Sequence, residues 1–143
     1  MNEFESNFKL ISSSKIGIFC TIKNVKVDFI HYNFKLLHLP EIHENIRVLN
    51  KKDIAAMKIQ AILGRGAKKD FFDLYELLKK YSLNEIIEFH KQKYPLQTLQ
   101  ITIPQALIYF EDAEASVDPV SLNNTTWEMV KKSLQQIVNE FLK

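Results

Sequence analysis

The hydrophobic period changes once along this chain, near residue 50, and that change constrains the fold more than any other feature. Before it, short runs of β-branched and aromatic residues predict three strands, Phe8 to Ile11, Ile16 to Ile22 and Val25 to Tyr32. Lys23-Asn24 sits where a two-residue hairpin turn would join the last two. Alternation in the third run puts Val25, Val27, Phe29 and His31 on one face and Lys26, Asp28, Ile30 and Tyr32 on the other. The segment from Asn33 to Val48 contains Pro40 and reads as an irregular connection, with a short edge strand at Ile46 to Leu49.

After residue 50 the pattern is helical. Asn50 is a helix cap, and Asp53 three residues later suits the first turn of that helix. This helix runs to about Leu63, where Gly64 and Gly66 bracket Arg65. A second helix spans Ala67 to Lys80. A third opens at the capping-box pair Ser82/Glu85 and stops before Pro95. Pro104 predicts the first turn of a fourth, Gln105 to Ala113. Thr125/Glu128 predicts the start of a last helix, with Trp127, Val130, Leu134, Ile137, Val138 and Phe141 on one face. The expected class is α+β, a small mixed or antiparallel sheet of three to four strands followed by about five helices.

The 143 residues suit one domain, 1–143, with a sheet part (1–50) and a helical part (51–143). Three glycines leave little material for a glycine-rich phosphate loop. A net charge of +2 neither demands nor excludes a nucleic-acid partner. The single cysteine, Cys20, has no internal disulfide partner, which fits a reducing compartment. The acidic start lacks signal-peptide order, and no apolar run reaches the roughly 20 residues of a membrane span. A cytoplasmic protein without a membrane partner is the expectation.

Two places carry candidate chemistry. Asp28 is a carboxylate in an apolar run, and burying it unpaired would cost several kcal/mol. It is therefore either a solvent-side residue beside Lys26 or a metal ligand or general base on a sheet. The second place combines Lys58, Arg65, Lys69, Asp70 and Asp73. Lys58 and Arg65 are seven residues apart and share a helix face, and Asp70 and Asp73 are neighbours on the next helix. A turn at the glycines would bring these charges together, either as a salt-bridge network fixing two helices or as a cationic site for phosphates. From Arg47 to Lys93 basic residues outnumber acidic ones eleven to six, which is compatible with a nucleotide or RNA backbone. His31, His38, His43 and His90 show no metal-ligand spacing.

The run Asp53-Ile-Ala-Ala-Met-Lys58, followed by Arg65 and Lys69-Asp70-Phe-Phe-Asp73-Leu-Tyr75, resembles the nucleotidyltransferases of the AbiEii/AbiGii abortive-infection toxin group. Val25-Lys-Val-Asp28-Phe-Ile30 is similar to the strand that precedes this region in that family. The resemblance implies the later part of a DNA polymerase β-like nucleotidyltransferase fold. It also implies nucleotide transfer from a nucleoside triphosphate with Mg²⁺. On it, Asp28 is the third carboxylate and a metal ligand. Lys58 and Asp70 join it as catalytic residues. Lys58, Arg65 and Lys69 are phosphate contacts, and Asp53 and Asp73 are supporting residues. A cognate antitoxin and a tRNA acceptor are the implied partners.

The family's site begins with a Gly-Ser or Gly-Gly turn and two carboxylates one residue apart on a strand. This sequence contains neither dipeptide, and Asp112-Ala-Glu114, which has the spacing, lies in a helical context. The chain thus reads as an N-terminally shortened relative, impaired or inactive alone unless a separate N-terminal polypeptide supplies the missing residues. The alternative is a non-catalytic binding module for an antitoxin, a partner protein or RNA.

Overall fold

A computed structural model describes residues 7–143. The chain forms two compact units, Met1–Phe34 and Lys35–Lys143. The change of period near residue 50 therefore falls inside the second unit.

The first unit is an antiparallel sheet in the order β1 (Phe8–Ser13), β2 (Gly17–Ile22), β3 (Val25–Ile30). Lys23 and Asn24 both have positive φ (49° and 64°), the two-residue turn whose twist matches the flanking strands. Asparagine tolerates that region, so it serves where Asn-Gly would be usual. The β2–β3 register sets Phe19 opposite Asp28 and Cys20 opposite Val27, and β1 shifts register between Leu10 and Ser12. Cys20 is fully buried and its thiol donates to the Val27 carbonyl (3.4 Å).

Gly17 pairs with Ile30 at the start of β2, and a Cβ there would lie 2.2 Å from the Phe29 carbonyl oxygen. Backbone cannot yield as a side chain does. Gly17→Ala is therefore expected to cost about 1–3 kcal/mol, in the range of overpacking. Amide hydrogen exchange should show lost protection across β2 and β3. Unchanged protection there would refute the steric account.

The second unit opens with a hairpin, β4 (Glu41–His43) and β5 (Ile46–Val48). Its turn repeats the first, with Glu44 and Asn45 at φ 49° and 68°. The strand expected at Ile46 to Leu49 thus pairs with β4, which lies within the segment expected to be irregular.

Helix α1 (Lys51–Gly64) starts where the Asn50 side chain accepts the Lys52 N–H (2.9 Å). Gly66, at φ +55°, turns the chain into α2 (Lys68–Leu78), a conformation that favours glycine. No side chain caps α2 from Ala67. The Lys68 N–H is instead satisfied by Ser116 Oγ (2.9 Å), 48 residues away. The Ser82/Glu85 capping box opens α3 (Leu83–Lys93), which ends at Tyr94 before Pro95.

The expected fourth helix is two pieces, α4 (Ile103–Leu107) and α5 (Glu111–Glu114). A Thr102/Gln105 capping box starts α4. The break lets the Phe110 ring meet Phe71 and Trp127 edge-on, each at 5.5 Å. Aromatic packing has overridden local helical continuity. Helix α6 (Trp127–Phe141) is capped by Thr126, which accepts from Met129 N, and not by Thr125. Thr125 donates its hydroxyl to Asn123 Oδ1 (2.7 Å).

The core of this unit is built by α1, α2, α3, α4 and α6. Phe71, Ile59, Leu74, Ile86, Leu107, Leu134, Val130 and Val138 are its largest fully buried apolar side chains. Each stabilises by about 1.5–3 kcal/mol through burial. Val130, Leu134 and Val138 are the buried residues of the α6 stripe. Helix α1 runs against α2, α3 and α4, and fully buried Ala55 and Ala56 leave room for that close approach. No helix among the described residues is long and apolar enough to cross a membrane.

Candidate functional site

The turn at Gly64-Arg65-Gly66 sets α1 beside α2 and brings four charges together. Asp70 is fully buried on α2. Arg65 donates to it twice, Nε to Oδ2 (2.8 Å) and Nη2 to Oδ1 (2.9 Å). This is the two-pronged geometry in which guanidinium fits carboxylate best. Lys58 on α1 donates to Asp70 Oδ1 (3.3 Å) and pairs with Asp73 Oδ2 (2.5 Å). Burial alone would raise the Asp70 pKa, but the Arg65 hydrogen bonds and the Lys58 charge outweigh it and hold the carboxyl below its ordinary value. The Asp70 hydrogen bond in turn raises the Arg65 pKa.

The four charges sum to zero. Arg65 still keeps about half of its side chain in solvent (56%) while Nε and Nη2 are fixed by Asp70. A buried carboxylate that orients an exposed guanidinium can present a rigid donor to an anion. The same bonds also fix the angle between two helices.

Asp28 belongs to the first unit. It is exposed, and Lys26 Nζ lies 3.6 Å from its Oδ2. Among the described residues no three His, Cys, Asp or Glu side chains come together as a metal site. The described residues therefore offer no all-protein cage for Mg²⁺, whereas a Mg²⁺ carried by substrate phosphates needs only one or two carboxylates.

Asp53 is more than a helix-start residue. Its fully buried carboxylate accepts from the backbone N–H of Leu37 (2.9 Å) and His38 (3.1 Å) and from Lys93 Nζ (2.5 Å), itself fully buried on α3. Lys93 also donates to the Lys35 carbonyl (3.0 Å). Burial opposes ionisation of Asp53, but Lys93 and the two backbone donors overcome it and lower its pKa. Sequence reasoning missed Lys93, because partners 40 residues apart share no helical spacing.

The adjacent lysines of α2 differ. Lys69 is exposed. Lys68 is buried, and its ammonium donates to Asp118 Oδ1 (2.7 Å), anchoring the segment before α6. Lys69 is the lysine expected at the phosphates, and Lys68 beside it in the same run is the one that is buried and paired. Of the histidines, His90 is buried with Nε2 at 2.9 Å from Gln60 Oε1, and desolvation pushes its pKa down.

One family model matches this chain. The model of the nucleotidyl transferase AbiEii toxin of type IV toxin–antitoxin systems matches residues 22–141, a span that contains Asp28, Asp53, Lys58, Arg65, Lys69, Asp70 and Asp73. The chain is 33% identical over 145 residues to an uncharacterized protein of Aquifex aeolicus (strain VF5), covering 96% of this chain and 67% of that one. No solved structure matches. On the family match across most of its length, this chain belongs to the AbiEii nucleotidyltransferase toxin family.

Proposed function

We propose that this chain handles a nucleoside triphosphate and takes part in transferring its nucleotide, with Lys58, Arg65 and Lys69 meeting the phosphates. The observation that carries this reading is the Arg65–Asp70 pair, in which a buried carboxylate orients a solvent-facing guanidinium. Asp70 is then a positioning residue for Arg65 and Lys58, and Asp73 and Asp53 support the same helices. Mg²⁺ would arrive bound to the triphosphate, and Asp28 is the carboxylate proposed for it. The family's Gly-Ser turn and paired strand carboxylates are absent from these 143 residues, so on this reading transfer depends on groups they do not contain. tRNA is the proposed acceptor, a cognate antitoxin the functional counterpart, and the cytoplasm the site of action.

Equilibrium dialysis with labelled nucleoside triphosphates, followed by incubation with Mg²⁺ and total tRNA, tests this. Binding is expected, weakened about tenfold or more in Arg65→Ala, as loss of a charge-assisted contact predicts. Any label transferred to tRNA should disappear in Asp28→Ala and Lys58→Ala. Absence of nucleotide binding would leave the second reading, a non-catalytic binding module. That reading is favoured by the zero net charge of the four-residue cluster and by the Lys26–Asp28 contact.

A further inference from the structure

Beside the charge cluster, α2 and the segment leading to α6 enclose a groove of about 330 Å³. That volume is at the lower end of small-molecule sites. Asp73 belongs both to the groove wall and to the cluster. Phe72, Pro119, Val120 and Leu122 supply apolar walls, and Lys69 supplies a cation.

The wall is held in place from both ends. Lys68 binds Ser116 and Asp118 at one end, and Asn123 Nδ2 donates to Glu76 Oε1 (2.9 Å) at the other. Between these anchors Val120 and Leu122 are 90% and 97% exposed. Apolar side chains held that far into water on a pinned segment are an unusual expense for a surface with no ligand. The other groove face, Phe72, is backed by Trp127, the rings lying near-parallel (12°) with centroids 6.1 Å apart.

The charges of the lining select the occupant. Asp73 is neutralised by Lys58, and Glu76 by Lys79 (2.7 Å) and Asn123. Lys69 makes no ion pair among the described residues. The groove therefore offers one uncompensated cation next to apolar walls, one of them aromatic. We propose that it takes the base and ribose of a nucleotide, stacked against Phe72 and covered by Val120 and Leu122, with Lys69 on the phosphate chain. The proposal rests on the nucleotide-handling reading above and adds the subsite that would set base preference.

Trp127 is the chain's single tryptophan and lies behind Phe72, so its fluorescence reports on the groove. The full chain is titrated with each of the four ribonucleoside triphosphates and with inorganic tripolyphosphate. Saturable change with at least one nucleotide is expected. Lys69→Glu should weaken both nucleotide and tripolyphosphate about tenfold or more. Leu122→Asp should weaken the nucleotide to a similar degree and leave tripolyphosphate unchanged. Both residues are exposed, so melting temperatures should not move, and the variants remain readable. If nucleotides bind with full affinity to both variants but are lost in Arg65→Ala, the groove is overturned while the nucleotide-handling reading stands. If no nucleotide binds by fluorescence or dialysis, both fall.

Discussion

Lys93→Met should destabilise the second unit by about 3–5 kcal/mol, the range for breaking a buried ion pair by removing one partner. Methionine fills the volume, so the loss is electrostatic. Asp53 would be left fully buried with only the Leu37 and His38 N–H donors. The segment around residues 35–38 is tied to α1 and α3 through these bonds and should loosen first.

The pH dependence gives the sign. In the native protein the Asp53 pKa lies below its ordinary 3.8. The stability it confers is therefore present above 3.8 and is lost as pH falls through the lower folded value. In Lys93→Met the cation is gone and burial dominates, so protonation becomes favourable in the folded state. The difference between variant and parent should then shrink as pH falls through the carboxylate range. Urea unfolding midpoints at neutral and acid pH measure this. A neutral-pH loss under about 1 kcal/mol would mean that the pair contributes little beyond its packing.

Asp70→Ala is expected to cost about 3 kcal/mol, toward the low end of the same range. The reason for the lower figure is that both cations it would abandon reach solvent, Lys58 at 23% and Arg65 at 56% of their side chains. Its native pKa is likewise below 3.8, so its contribution is also lost on acidification below that value. Arg65→Lys, which keeps the charge but loses the two-pronged fit, should cost about 1 kcal/mol. Thermal melts check both values. An unchanged melting curve for Asp70→Ala would remove the network from the stability of the helix pair and leave Asp70 only a part in binding.

Much of this architecture was readable beforehand. Caps are local chemistry, so Asn50 and the Ser82/Glu85 pair marked two helix starts from the sequence alone. The Lys23-Asn24 turn was readable because asparagine tolerates positive φ. Glu44-Asn45 makes the same turn but lies between strands of three residues, too short to alternate visibly. The start of α6 slipped by one residue because Thr125 and Thr126 are both competent caps, and only the bond to Asn123 decides which is used. The break after Leu107 was hidden because the rings that Phe110 packs against come from Phe71 and Trp127, distant in sequence.

The charge cluster divides in the same way. Spacing alone placed Lys58 with Arg65 and Asp70 with Asp73, and the glycines at the turn implied that the two pairs would meet. Which charges are buried is not a property of spacing. The tertiary structure buries Asp70 and leaves Arg65 half in solvent, buries Lys68 and exposes Lys69, and joins Asp53 to Lys93. Backbone dihedrals, caps and hydrophobic period act over a few residues, so the sequence by itself determined most of the elements and the family pattern. Desolvation and pairing depend on what other segments bring near a side chain, and only the folded chain decided which of its charges are buried between the helices and which face solvent.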